Sequence, residues 1–269
     1  FPLHLWLPNA YTYAPSAITS FLAATATKVA IYVMLRFLFS VFQPGFLAEV
    51  PTLDLILYPF AILAMFAASY TAILQRDLKR MLAYSSIGQV GYMLLGIALL
   101  SESGLMATMI HLFNHGITKA ALFMGVGVYV LNGGGSFYHN LRGRGKTMPW
   151  TSAAMVVAGL SLIGVPGTAG FLSKWLLVEA TLEQGLWPIA LLIVASSLLA
   201  VIYVWKLIET LYLAQPAEGL QDQNVPLMMM IPLWVMALAC IYFGFDTDIT
   251  LSAARSAAEG LLAGSAGMR

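Results

Sequence analysis

The sequence predicts an all-α membrane protein, a polytopic bundle of transmembrane helices in which at least one helix is broken. Three observations carry this reading. Of 269 residues, 60% are hydrophobic and 9% charged, with mean hydropathy +0.83. Soluble domains carry about 25% charged residues, so lipid is the solvent that suits this chain. Seven apolar runs reach the ~20 residues a helix needs to cross a bilayer. The longest of them holds Gly-Val-Pro-Gly-Thr-Ala-Gly at its centre, between Gly164 and Gly170.

The elements follow in order. The first fourteen residues, FPLHLWLPNAYTYA, are too short to span. No charged segment precedes them, so they do not read as a signal peptide. They read as half of a broken helix, with the N-terminal portion of the protein expected upstream. Spans are expected at roughly 16–42, 53–75, 78–100, 104–132, 148–182, 186–214 and 225–245. The fifth is too long for one straight crossing. Proline removes a backbone donor and glycine loosens the hydrogen-bond ladder, so an interruption is expected within 164–170. Such breaks at membrane depth are typical of transporters. Residues 246–269 read as a mildly amphipathic surface tail, and 1–269 as a single transmembrane domain.

The loops alternate in sign. Glu49 and Asp54 precede a basic stretch with Arg76, Lys79 and Arg80; Glu102 precedes Arg142, Arg144 and Lys146; Glu183 follows. The positive-inside rule places both basic loops in the cytoplasm. Glu218 and Asp222 fall on that side by alternation, without basic neighbours.

A few ionisable residues inside spans carry most of the functional information. Lys28 sits midway along the first full span, Lys119 near the middle of 104–132, and Lys174 four residues beyond Gly170. His111, His115 and Lys119 are spaced i, i+4, i+8; at about 100° per residue they fall on one stripe. A lysine at mid-membrane costs roughly 2.5–3.5 kcal/mol on insertion scales, so three suggest retention for function. An amine withdrawn from water holds its proton less tightly than one in water, so it can gain and lose one near neutral pH, and histidine titrates there without any shift. Lys79 begins a helix in RDLKRML; snorkelling to the interface is its expected role, and a place on the proton path its second. Lys206 and Glu209 share a helix at a spacing that allows local pairing, and no role is assigned to them. Asn114, Thr118, Ser85 and Ser86 suit either ordered water or helix packing.

Other classes fit less well. A bis-histidine haem needs ligands on opposite sides of the iron, whereas His111 and His115 share one helix face. A retinal pump needs a carboxylate counter-ion within the bundle, and the early spans carry none. Cys240 is the only cysteine, which excludes an intrachain disulfide and a cysteine-ligated cluster. No cofactor and no metal are expected, and a net charge of +1 gives no basis for binding nucleic acid.

FPLHLWLPNAYTYAPS resembles the LHxWLPxAxxxAPS signature of antiporter-like subunits, which occur in respiratory complex I, multisubunit sodium/proton antiporters and membrane-bound hydrogenases. ATKVAIYVMLRF, DLKRMLAYSSIGQVGYM, HLFNHGITKAALF and GVPGTAGFLSKW follow in that family's order. The resemblance implies a fourteen-helix fold of which this chain is the second half. It also implies a proton path through Lys28, the relay His111, His115 and Lys119, and the terminal Lys174. A coupling glutamate–lysine pair would lie upstream of Phe1. Partners would be other membrane subunits of a hetero-oligomeric complex, in the bacterial inner membrane, with protons and sodium as the ions. M-type complex I subunits have glutamate at the Lys174 position; D-type antiporter and N-type complex I subunits have lysine. The segments around Lys28 and Lys174 look more like the D-type antiporter. The expected function is therefore that of the D-type component of a multisubunit sodium/proton antiporter. The alternative is a proton-pumping N- or M-type subunit of NADH-quinone oxidoreductase, or of a membrane-bound hydrogenase.

Overall fold

The structure is a computed structural model that describes residues 3–42, 52–133, 135–215 and 225–263. Among them the chain is helical, with one isolated β-bridge between Asp77 and Phe137. The helices are α1 (Trp6–Tyr13), α2 (Ser16–Arg36, continued by a π-helical stretch Phe37–Phe42), α3 (Thr52–Leu74), α4 (Leu78–Ala98) and α5 (Glu102–Leu131). The short α6 (Tyr138–Leu141) and α7 (Arg144–Thr147) lead into α8 (Pro149–Ile163) and α9 (Ala169–Glu183). The last three are α10 (Trp187–Ile208, with a π-helical end Glu209–Leu213), α11 (Leu227–Phe245) and α12 (Asp248–Ala263). Glu49, Glu218 and Asp222 lie outside the described residues.

Local chemistry fixes the boundaries. Ala14 precedes Pro15, which disfavours helical dihedrals, and the extended backbone there separates α1 from α2. Asp77 caps α4 by accepting the Arg80 amide at 3.0 Å, and Ser101 caps α5 through the Gly104 amide at 3.1 Å. Pro149 opens α8 at a position that has no helical partner to lose. Gly164, at φ 90°, ends it in the left-handed region. The expected interruption within 164–170 is thus present, as a gap between Ile163 and Ala169.

Among the described residues, five helices are long and apolar enough to cross a membrane: Ser16–Phe42, Leu55–Leu74, Leu78–Ala98, Trp187–Leu213 and Leu227–Phe245. Helix α5, at 30 residues, is the centre of the bundle and touches α2, α4, α8, α9, α11 and α12. It runs antiparallel to α4, because Thr108 reaches the Met93 carbonyl and Lys119 the Leu82 carbonyl. It is also antiparallel to α8 and α9, through Thr118 with Ser161 and His111 with Ser173. The main core joins Tyr11, Leu82, Phe123, Tyr129, Met155, Tyr203 and Leu233. Ala258 and Leu261 of α12 complete a second cluster with Ile31, Leu35, Phe39 and Leu105, while the opposite face of α12 is exposed.

Two of the basic segments share one end of the bundle. The Leu78 amide donates to the Ser136 carbonyl at 2.7 Å, and the Tyr138 amide to the Arg76 carbonyl at 3.1 Å. Arg144, in the second basic stretch, is 4% exposed; one of its Nη atoms donates to the Asn132 carbonyl and the other to Met148 Sδ.

Candidate functional site

Lys119 is fully buried on the central turn of α5. Its Nζ donates to the Leu82 carbonyl at 2.8 Å and to Ser85 Oγ. Lys28 is 6% exposed; its amine donates to Ala23 of its own helix, and its Cε passes the open face left by Gly116. Lys174 is 6% exposed and folds back across the break. It donates to the carbonyls of Ile163 at 2.7 Å and Leu162 at 3.2 Å. Those carbonyls close α8 and have no helical partner of their own, so the end of that helix is a negative seat for an amine. The three amines lie at similar height. Lys28 meets α5 at Gly116, and Lys174 meets α8 just beyond Ser161, which pairs with Thr118. None of these bonds is to a carboxylate.

The two histidines lie between. Their rings stack in parallel, with centroids 6.0 Å apart and planes 5° apart, as i, i+4 spacing on one helix dictates. His111 Nδ1 meets Ser173 Oγ at 2.8 Å, one residue from Lys174. His115 lies one helical turn from both His111 and Lys119 and next to Gly116, where Lys28 approaches α5. Both its ring nitrogens are buried without a hydrogen-bond partner, as are His111 Nε2, Asn114 Oδ1 and Thr27 Oγ1. Buried polar atoms of this kind are ordinarily satisfied by water. A groove of about 760 Å³ between α2, α5 and α11 reaches Lys28; Phe21, Phe113, Met124 and Met236 are among its apolar walls.

The sequence-selected residues therefore converge, with one change of role. Lys79, expected at the interface, is 6% exposed and donates to the Ala14 carbonyl at 3.2 Å. It fills the carbonyl freed where α1 gives way to α2. Lys206 takes the Ile73 and Gln75 carbonyls at the end of α3, at 3.0 and 2.8 Å, in place of a local partner in Glu209, which is exposed. Asn114 donates to the Ala169 carbonyl at 2.6 Å, at the start of α9. Sequence reasoning passes over Ser161, Ser173 and Tyr92. Only the facing of α5 with the broken helix brings the two serines in, and small hydroxyl residues in a span give no local signal of it.

Residues 1–200 match the family described as NADH:quinone oxidoreductase/Mrp antiporter, transmembrane. The chain belongs to that family. Within it, the chain is 37% identical to NADH-quinone oxidoreductase subunit N of Desulforudis audaxviator, over 94% of this chain and 52% of that one. It is 35% identical to F(420)H(2) dehydrogenase subunit L of Methanosarcina mazei, over 91% of this chain and 37% of that one. It superposes on a chain of the archaeal membrane-bound sulfane sulfur reductase with a TM-score of 0.86 and 31% identity, covering 99% of this chain and 53% of that one. A chain of the Mrp complex from Dietzia shares the fold, with a TM-score of 0.87 at 24% identity over 97% of this chain and 56% of that one. The chain spans about half the length of the first of these relatives.

Proposed function

We propose that this chain is the proton-conducting second half of an N-type antiporter-like subunit in an NADH-quinone oxidoreductase or a related respiratory membrane complex. The observation that carries the reading is the convergence of three buried amines, Lys28, Lys119 and Lys174, on one height of the bundle, with an unpartnered His115 among them. The preference for an N-type over a D-type role rests on the matched relatives, whose names include subunit N, at 37% identity for one of them. Redox chemistry would reside in partner subunits.

The relay works by alternation. A proton taken up between Lys28 and Lys119 passes through water to His115. A neutral imidazole accepts at one nitrogen while donating from the other. The stacked His111 and Ser173 then lead to Lys174 at the helix break. Like charges repel in a low-dielectric interior, so charged and neutral amines alternate along the row.

The test is proton flux in inverted vesicles carrying the complete complex, normalised to complex abundance. Lys119→Ala should abolish most flux while assembly stays intact, since deleting a buried charge removes its desolvation cost. Lys119→Arg should also fail, because a guanidinium with a pKa above about 12 does not release its proton. Near-normal flux in Lys119→Ala at normal abundance would sink the relay. Flux that follows quinone reduction and ignores sodium fits the N-type reading; a sodium requirement would move the chain to the antiporter class.

A further inference from the structure

The relay uses Lys174 but leaves its surroundings unexplained. Tyr92 of α4 is 3% exposed, and the Lys174 amine lies 5.0 Å from its ring centroid, within the range at which an aromatic face attracts a cation. The same ring meets His111 edge-on, with centroids 5.7 Å apart and planes at 62°. The hydroxyl is held as well. It donates to Ser196 Oγ at 2.9 Å and lies 3.3 Å from Ser197 Oγ, both on α10. Ser196 in turn reaches the Met65 carbonyl of α3 at 3.5 Å. A tyrosine tied down at its polar tip thus presents its face to an amine that donates to the two terminal carbonyls of α8.

We infer that Tyr92 is a positioning residue for Lys174: its ring face holds the ammonium against the Leu162 and Ile163 carbonyls, and its bonds to α10 fix the ring. The seat is made of carbonyl dipoles and a π-face. It holds the amine at the break while it carries a proton and lets it go when the proton leaves, because a neutral amine gains little from the ring. The inference rests on the relay reading of Lys174.

The experiment grades the ring electronically at constant shape. In the complete complex, phenylalanine and its mono-, di- and trifluorinated forms are placed at position 92, and flux per assembled complex is measured. Fluorine drains the π-face without changing packing. Tyr92→Phe, which loses the bonds to α10, sets the baseline, and from it the series should fall stepwise by about tenfold in all. Tyr92→Leu should match the trifluorinated end. Repeating the series on fluorinated tyrosines keeps the bond to Ser196, so the grading is still read where a phenylalanine variant fails to assemble. A ring that matters only for packing gives a flat series, which would overturn the inference. Lys174→Ala separates the two levels. Lost flux there with a flat fluorine series removes Tyr92 alone, whereas retained flux removes Lys174 from the relay and this inference with it.

Discussion

The closest backbone approach in the site is at Gly170, and Gly170→Ala is the perturbation most directly worked from geometry. A Cβ built there would lie 1.8 Å from the Ser161 carbonyl oxygen and 2.9 Å from its carbon, where ordinary contact begins at 3.4 Å. The obstacle is backbone, so no rotamer change relieves it; the start of α9 must retreat from α8 by roughly 1.5 Å. Overpacking of this kind costs about 1–3 kcal/mol, and a clash with main chain belongs at the upper end. The retreat also disturbs the site. The Gly170 amide donates to Ser161 Oγ at 3.3 Å, Asn114 holds the neighbouring Ala169 carbonyl, and Ser173, one turn on, holds His111. The assay is thermal unfolding of the purified complex alongside flux per complex. Gly170→Ala should lower both. Gly260→Ala in α12, where nothing lies within 4 Å, is the control and should be neutral or slightly stabilising. Unchanged melting and unchanged flux in Gly170→Ala would show that the two halves of the broken helix are not packed as described.

Lys79→Met should remove one of two donors from the Ala14 carbonyl, which keeps Thr19 Oγ1 at 3.2 Å, and cost about 0.5–1.5 kcal/mol, read as lower complex abundance or melting temperature; flux per surviving complex should fall less than in Lys119→Ala. Asp77→Ala removes the cap of α4 and the acceptor of Ser136 Oγ, at a cost of about 1–2 kcal/mol, and should lower the melting temperature without changing flux per complex.

The spans are legible because crossing length and apolarity are local properties of a segment: the expected 16–42 and 225–245 agree within two residues with the observed helices. The break is legible because Pro166 and Gly164 act on their own backbone. The shared face of His111, His115 and Lys119 needs only helical spacing. What stays hidden depends on residues distant in sequence. The burial of Lys79 is decided by a carbonyl 65 positions away, the Ser173 partner of His111 lies 62 away, and the Ser196 anchor of Tyr92 lies 104 away. A lysine at a helix start reads the same whether it meets headgroups or another helix. The neighbour that decides the matter is set by packing.

The buried lysines are bonded to carbonyls and a hydroxyl, and this has a consequence for reversibility. In an ion pair inside a membrane, discharging one member strands the other as a bare charge, so the pair tends to stay locked. A carbonyl carries no net charge to strand. It accepts from an ammonium, and it still accepts from the N–H of a neutral amine. Each lysine can therefore change state without stranding a counter-charge, so what links one change to the next is the repulsion among the amines themselves, and whatever acts on the row from outside need only start it.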